Sequence, residues 1–438
     1  MTERLHIALA QFNARPGDLV GNAARLRAAW AEAAALGADI VVTPALSLAG
    51  QAAGDAGFDT AAQEAVAALA ATTAEGGPAL LVGAPRVEQG KRHDAVFLLD
   101  AGRIAAHRAR HEVARGEPFD PGPAPGPVNI RGVRLGLMIG ADWHGPAVAE
   151  TLSETGAELL VAVDAAPFVP GAAARRVDLA VARVVETGLG FAYCNRVGGQ
   201  GEAVFDGGGF VLNPDRGLAA QLPQFESELH VTEWARDAEG LSCLAQLLAP
   251  PLDPLEARWR AMMLGLADAV AGRGLSAALV PLSGGLGEAL AAALAVDALG
   301  PRHVRAVVLP APDWPAARIA AAEACASLLG IGCDMTPLAP ALAGFAAMLG
   351  PEAVAPVAEV RRLALASLSR RLGALPVGDA LAEGHAPLAG LDAATAVALA
   401  RWRNAGRPAG ARGPAGMVVP GPLIEHFPST PGMTDPER

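Results

Sequence analysis

Long apolar runs, basic clusters, paired metal-ligand spacings and aromatic residues are all scarce in this chain of 438 residues. Each scarcity excludes something. The most apolar region, roughly 275–300, is interrupted by Ser283, Gly284, Gly285, Gly287 and Glu288, so it does not read as a membrane span. The start, Met-Thr-Glu-Arg before a short HIALA run, is too brief for a secretory signal and reads as a first strand, which makes the cytoplasm the expected location. No run of Lys or Arg offsets the formal net charge of -11. That balance argues against a nucleic-acid partner, because phosphate binding leaves a basic footprint. Cys194, Cys243, Cys325 and Cys333 show no paired zinc spacing, and the nine histidines are scattered along the chain. No metal site is therefore expected, and the thiols read as buried and reduced. Aromatics at 4% leave the cores to Leu, Val and Ala.

What is present is enough chain for two domains with substantial cores. Over residues 1–240 short apolar runs alternate with helical segments: LHIALAQF, ADIVVTPAL, PALLVGAP, AVFLLDAG, VRLGLMIG, AELLVAVD and GFAYCNRV read as strands. The pattern predicts stacked α and β layers, and AVFDGGGFVLNPDRGLAAQLP predicts a closing hairpin. Prolines at 241–255 mark a linker. Over 256–404 the order strand, helix, strand, helix predicts a doubly wound parallel sheet. Residues 405–438, rich in Gly and Pro, read as a poorly ordered tail.

Three segments of the first half, ALAQFNARPGDLVGN, VETGLGFAYCNRVGGQGEAVFDGGGFVLN and AAQLPQFESEL, resemble the nitrilase-like glutaminase domain of glutamine-dependent NAD synthetases. The run LSGGLGEALAAALAVDALGPRHVRAVVLP resembles the synthetase domain of the same family, in the same order along the chain. The resemblance covers roughly residues 5–404. It implies an N-terminal α-β-β-α sandwich, a Rossmann-like second domain of the ATP-pyrophosphatase type, a chain shorter at its C-terminus than the family, and assembly into symmetric oligomers through both domains.

The resemblance also implies catalytic positions, and this chain departs at each. The glutaminase uses a Glu, Lys and Cys triad in which the thiolate attacks an amide, the glutamate moves a proton and the lysine steadies the oxyanion. Ala45, in Thr43-Pro44-Ala45-Leu46, stands where the glutamate belongs, and an alanine methyl carries no proton. Arg110 stands for the lysine; arginine keeps the charge, but it exchanges no proton and its planar fork fits differently. Gly140, in Met138-Ile139-Gly140-Ala141-Asp142-Trp143, replaces the nucleophile. Asp142, Trp143 and Glu202 are expected to line the pocket as scaffold. Cys194 is placed near it, but with no base in evidence it reads as a core thiol.

The synthetase fingerprint SGGxDS is a glycine turn whose amides cradle pyrophosphate, with its Asp on magnesium. Here it reads Ser283-Gly284-Gly285-Leu286-Gly287-Glu288, so Gly287 replaces the Asp and Glu288 the final Ser. A carboxylate at a helix N-terminus suits the helix dipole and opposes a triphosphate. Further departures are Ala311-Pro312-Asp313-Trp314-Pro315 in a nucleotide-contact segment, Val354 to Glu359 at the ENxQAR motif, GDALAEGH in place of a longer glycine-rich loop, and Ala394 where a lysine is expected. Two classes of function survive. One is a non-catalytic structural or regulatory subunit, a homo-oligomer or a hetero-oligomer with an active NAD synthetase, expected to need no cofactor. The other is an active enzyme, either an NAD synthetase using glutamine or ammonia with ATP and magnesium, or one with repurposed pockets. Loss at both sites with readable strands and helices favours the first.

Overall fold

The computed structural model describes residues 4–51, 56–236, 240–244, 247–350, 357–378, 381 and 384–425. The chain divides into two compact units, Met1–Leu252 and Asp253–Arg438. The first opens with β1 (Arg4–Gln11), α1 (Leu19–Ala35), β2 (Ile40–Val42), α2 (Ala56–Ala70), β3 (Ala79–Glu88), β4 (Lys91–Asp100) and β5 (Arg103–Ala109). It continues with β6 (Val128–Ile130), β7 (Val133–Ile139), α3 (Pro146–Glu154), β8 (Leu159–Asp164), α4 (Ala172–Thr187) and β9 (Gly190–Asn195). Short strands close it: β10 (Val197–Gln200), β11 (Ala203–Asp206), β12 (Phe210–Leu212), β13 (Leu218–Gln221), β14 (Glu228–Arg236) and β15 (Leu241–Cys243).

Among the described residues these strands build one sheet in the order β15-β14-β1-β2-β3-β4-β5 and a second in the order β13-β12-β9-β8-β7-β6. Side chains alternate across each strand, so one sequence feeds two cores. Leu5, Ile7 and Leu9 meet Leu135, Leu137, Ile139, Leu159, Val161 and Val163 between the sheets. Ala8 and Ala10 turn instead to Leu26, Val66 and Leu69 of α1 and α2, and Leu160 and Ala162 turn to Val148, Leu152, Ala180 and Val184 of α3 and α4. The result is the expected α-β-β-α sandwich. The hairpin read from the sequence appears as β12 and β13. Periodicity gave no sign of β14, which pairs antiparallel along the whole of β1 from more than 200 residues away in sequence.

The second unit comprises α5 (Pro254–Gly272), β16 (Ala277–Pro281), α6 (Leu286–Leu299), β17 (Val304–Val308), α7 (Ala316–Leu329), β18 (Gly332–Met335), α8 (Ala339–Leu349), α9 (Val357–Leu372), β19 (Ala374–Pro376), α10 (Ala393–Ala405) and α11 (Gly421–Glu425). Asp253 caps α5, accepting from the Leu255 and Glu256 amides with Pro254 following it. The strands run parallel in the order β18-β17-β16-β19. Ala278 and Val280 face a core shared with α5, α6, α7 and α10, while Leu279 faces one shared with α8 and α9. Helices thus cover both faces, as a doubly wound sheet requires. The strand order reverses between β16 and β19, where such sheets open a crevice at their carboxyl ends.

Two stretches differ from the sequence reading. Residues 241–243, inside the expected linker, form β15 on the edge of the first sheet. Residues 405–425, expected as loose tail, end α10 and then pack: Val418 and Val419 are fully buried, and Asn404 receives both of their amides while donating to the Val419 carbonyl. Composition concealed this because the anchors are side chains elsewhere. Residues 426–438, Val354 to Pro356 of the ENxQAR-like stretch, and part of GDALAEGH lie outside the described residues. Among the described residues no helix is long and apolar enough to cross a membrane. Cys194, Cys243 and Cys325 are buried free thiols, whereas Cys333 is exposed, contrary to expectation, because β18 is an edge strand.

Candidate active site

Ala45, Arg110 and Gly140 converge. They share a cavity of about 370 Å³ in the first unit, whose walls also include Arg92, Asp94, Glu117, Phe119 and Asp164. Ala45 lies just past β2 in a turn held by Thr43, whose hydroxyl donates to the Leu81 carbonyl at 2.6 Å and pairs with Ser47 at 2.8 Å. Leu46 takes a left-handed φ of 50° there. Gly83 on β3 permits the turn, since a Cβ at 83 would overlap the backbone of Pro44 to Leu46.

Gly140 ends β7 and starts a short 3-10 turn, Gly140–Trp143, with φ at 54°. A strand-to-helix elbow with positive φ is the geometry that exposes a nucleophile in hydrolases of other folds. Here no side chain projects from it. A Cβ at 140 would lie 3.1 Å from Nη1 and 3.2 Å from Cδ of Arg110, so the arginine packs directly over the elbow. Arg110 follows β5, its amide donating to the Asp94 carbonyl at 2.8 Å. Its guanidinium donates to Glu117 and lies 5.8 Å from the Phe119 ring centre.

Three carboxyls surround this arrangement. Asp142 is buried and accepts from the amides of Ile139, His111 and Glu112 at 2.7 to 3.1 Å, tying the elbow to the segment after β5. Burial nevertheless pushes its pKa up, against those bonds. Asp164, at the end of β8, accepts from the Trp143 indole, the Tyr193 hydroxyl and the Ala165 amide, and burial raises it too. Asp94 is the outlier. Burial pushes its pKa up to about 7 despite the nearby Arg110. Its Oδ1 has no hydrogen-bond partner, Arg110 Nε has none either, and Arg110 Nη1 stands 3.9 Å from Oδ2, beyond hydrogen-bonding distance.

Three scaffold expectations need correction. Asp142 and Trp143 do not line the cavity; both are consumed by packing and hydrogen bonds beside it. Glu202 is exposed in the turn between β10 and β11, also off the lining. Cys194 is buried, its thiol pushed up by burial and donating to the Val42 carbonyl at 3.6 Å, and it does not reach the cavity. Sequence reasoning missed Asp94, Glu117 and Asp164. The available signal was a charged residue at the head of the apolar run of β4 and another at the end of β8, where parallel strands present their functional groups.

In the second unit Ser283, Gly284 and Gly285 join β16 to α6 at the reversal of strand order. Gly284 has φ 82°, and a Cβ there would stand 2.5 Å from the Arg318 carbonyl oxygen, so the loop demands glycine. Gly287 lies in the first turn of α6. The Glu288 carboxylate folds back and accepts from the Ser283 amide. Arg318 Nε donates to the Ser283 carbonyl at 2.7 Å and stacks over Trp314 at 4.4 Å, with Arg361 also over that ring at 4.9 Å. The loop therefore uses its own side chain as the anion on its amide. Ala394 is exposed on α10. Among the described residues no group of three or more His, Cys, Asp or Glu is placed to hold a metal ion.

Comparison with known proteins agrees with this two-part architecture. Residues 6–240 match the carbon-nitrogen hydrolase family, and residues 258–372 match the NAD synthase family. A glutamine-dependent NAD(+) synthetase of Rhodobacter capsulatus is 35% identical, over 98% of this chain and 84% of its own length. One of Xylella fastidiosa (strain Temecula1) is 31% identical over 92% of this chain and 81% of its own. Among solved structures, the Acinetobacter baumannii glutamine-dependent NAD+ synthetase in complex with ADP superposes with a TM-score of 0.85 at 22% identity, covering 98% of this chain and 86% of that one. The Cytophaga hutchinsonii enzyme gives 0.75 at 17% identity, covering 92% and 81%. At those identities the superpositions speak for the fold.

Proposed function

This chain belongs to the glutamine-dependent NAD(+) synthetase family, and from that premise we propose that it is a catalytically silent member, a structural or regulatory subunit that assembles with itself or with an active NAD synthetase. The observation that carries the reading is at residue 140. The elbow that would present a nucleophile carries no side-chain atom, and Arg110 packs over it. Ala45 across the cavity offers no proton acceptor, so attack on an amide has neither nucleophile nor base. Asp94 and Asp164 are carboxyls without a thiol or hydroxyl to activate, because Tyr193 already donates to Asp164.

The second site supports the same reading independently. ATP is a substrate in this family, and the residues present do not fit its phosphates. Glu288 places a negative charge on the amide where the pyrophosphate would go, and Gly287 offers no carboxylate for a magnesium ion. A pseudoenzyme of this kind keeps the fold while the site residues drift, because packing depends on the cores rather than on the elbow or the loop.

The test is NAD formation by the purified full chain from nicotinic acid adenine dinucleotide and ATP-magnesium, first with glutamine and then with ammonia. No product with either nitrogen source is expected, together with co-purification of an intact synthetase or of further copies of this chain. Product with ammonia alone would overturn the reading of the glycine loop. Product with glutamine would overturn the reading of both sites.

A further inference from the structure

The first-unit cavity holds an imbalance that catalysis, present or lost, does not explain. Its two arginines are already committed. Arg92 donates from Nε and Nη2 to both oxygens of Asp59, at 2.7 and 3.0 Å. Arg110 is held by Glu117. Asp164 is satisfied by neutral donors from Trp143, Tyr193 and Ala165. That leaves Asp94, only 4% exposed, on the cavity wall with a carboxylate whose Oδ1 has no hydrogen-bond partner. With Asp94, Asp164 and Glu117 on the walls and only Arg110 uncommitted to a carboxylate outside them, the ionised cavity carries excess negative charge.

We propose that this cavity is a binding site for a compact organic monocation with N–H donors, a primary ammonium or an amidinium on a short apolar body, gripped by the Asp94 carboxylate. The volume suits a small molecule. Ala45, Leu46, Pro118, Phe119 and Ala165 supply an apolar wall for its body. An N–H donor at the Asp94 carboxylate gives a partner to a cavity carboxyl that lacks a close one, and a charge-assisted bond is stronger than a neutral one. A neutral donor leaves Asp94 protonated and gains no ion pair, and an anion would oppose its ionisation.

The proposal has a proton signature. Asp94 is faced by Arg110 and Glu117 after β5, Asp142 in the elbow turn and Asp164 at the end of β8, with Arg92 and His93 beside it on β4. Empty, the carboxyl holds its proton into the neutral range because burial outweighs Arg110. A bound cation favours the carboxylate, so binding breaks the Asp94 O–H and releases that proton to solvent.

The experiment is calorimetric titration of the full chain with n-butylammonium and with acetamidinium, against neutral butyramide and anionic butyrate, in two buffers of different ionisation heat. At least one cation is expected to bind roughly tenfold more tightly than butyramide, with proton release at pH 6 and little at pH 8. Asp94→Asn is expected to lose that preference. No heat from either cation at millimolar concentration, or butyramide or butyrate binding as tightly, overturns the proposal; so does an unchanged preference in folded Asp94→Asn. The wild-type series alone decides if the variant does not fold. The outcome is separable from catalytic silence, since NAD formation is measured without these probes.

Discussion

Asp94 beside Arg110 in the first unit and Asp297 beside Arg403 in the second are both buried, and these two pairs are built differently. Asp297 on α6 is bound by Arg403 through both oxygens, at 2.6 and 2.9 Å, and accepts from the Trp259 indole at 2.9 Å. Arg403 spends its remaining donors on the carbonyls of Gly406 and Pro414. Asp94 and Arg110 sit 3.9 Å apart with one atom of each unpartnered, next to a cavity. A fully satisfied buried pair is an anchor. Here it binds the chain after α10 to the second domain, and Arg412 donates its amide to the Asp297 carbonyl at the same place. A half-satisfied pair costs folding free energy, and it persists where something other than stability retains it.

The largest way to break this comparison is Asp297→Ala. It leaves Arg403 buried without its counter-ion and is expected to cost about 3–5 kcal/mol, read as a lower urea midpoint of the full chain. A loss below about 1 kcal/mol would mean that the pair is not an anchor.

Next comes the pH dependence of the other pair. A carboxyl whose folded pKa lies above its unfolded value binds its proton more tightly when folded. Its stabilisation is complete below the unfolded value and is lost as pH rises through the folded one. For Asp94 that window runs from the ordinary carboxylate range near 3.8 up to about 7. Asp142 and Asp164, also raised, act in the same direction. Subtracting the stability of Asp94→Asn from that of the wild type across pH 4 to 8 isolates residue 94. The difference should move against the wild type by roughly 2–4 kcal/mol on going up. A flat difference would remove Asp94 as a strained group.

The smallest test compares two glycines with positive φ. Gly284→Ala presses a methyl onto the Arg318 backbone carbonyl, whereas Gly140→Ala meets only the side chain of Arg110, at 3.1 Å. We expect a cost of about 1–3 kcal/mol at 284 and about 1 kcal/mol at 140, measured as a difference in thermal midpoints. The reverse ranking would show that Arg110 is as immovable as a backbone.

Much of the fold was legible in local pattern. The apolar runs of β1, β3, β4, β7, β8 and β9 and the helix-strand alternation after residue 256 were visible because period and breakers are local properties. Ala45, Arg110 and Gly140 could be picked from their motifs, and they meet in one cavity. Asp94 and Asp164 could not, since a carboxylate beside an apolar run reads equally as a solvated strand end. The expected loose tail erred for a related reason: Gly and Pro describe the backbone of 405–425, while Asp297 and Asn404 hold it from positions before the tail begins.

The sequence by itself determined the layers and their order, and it showed which residues had left the elbow and the loop, because those facts reside in side-chain identity and short-range periodicity. Only the tertiary structure decided what the substitutions became. Whether an arginine covers a bare elbow, a glutamate serves as its own loop's anion, or an aspartate is left short of a partner depends on distances between residues far apart in the chain, and burial sets the energetic weight of each of those distances.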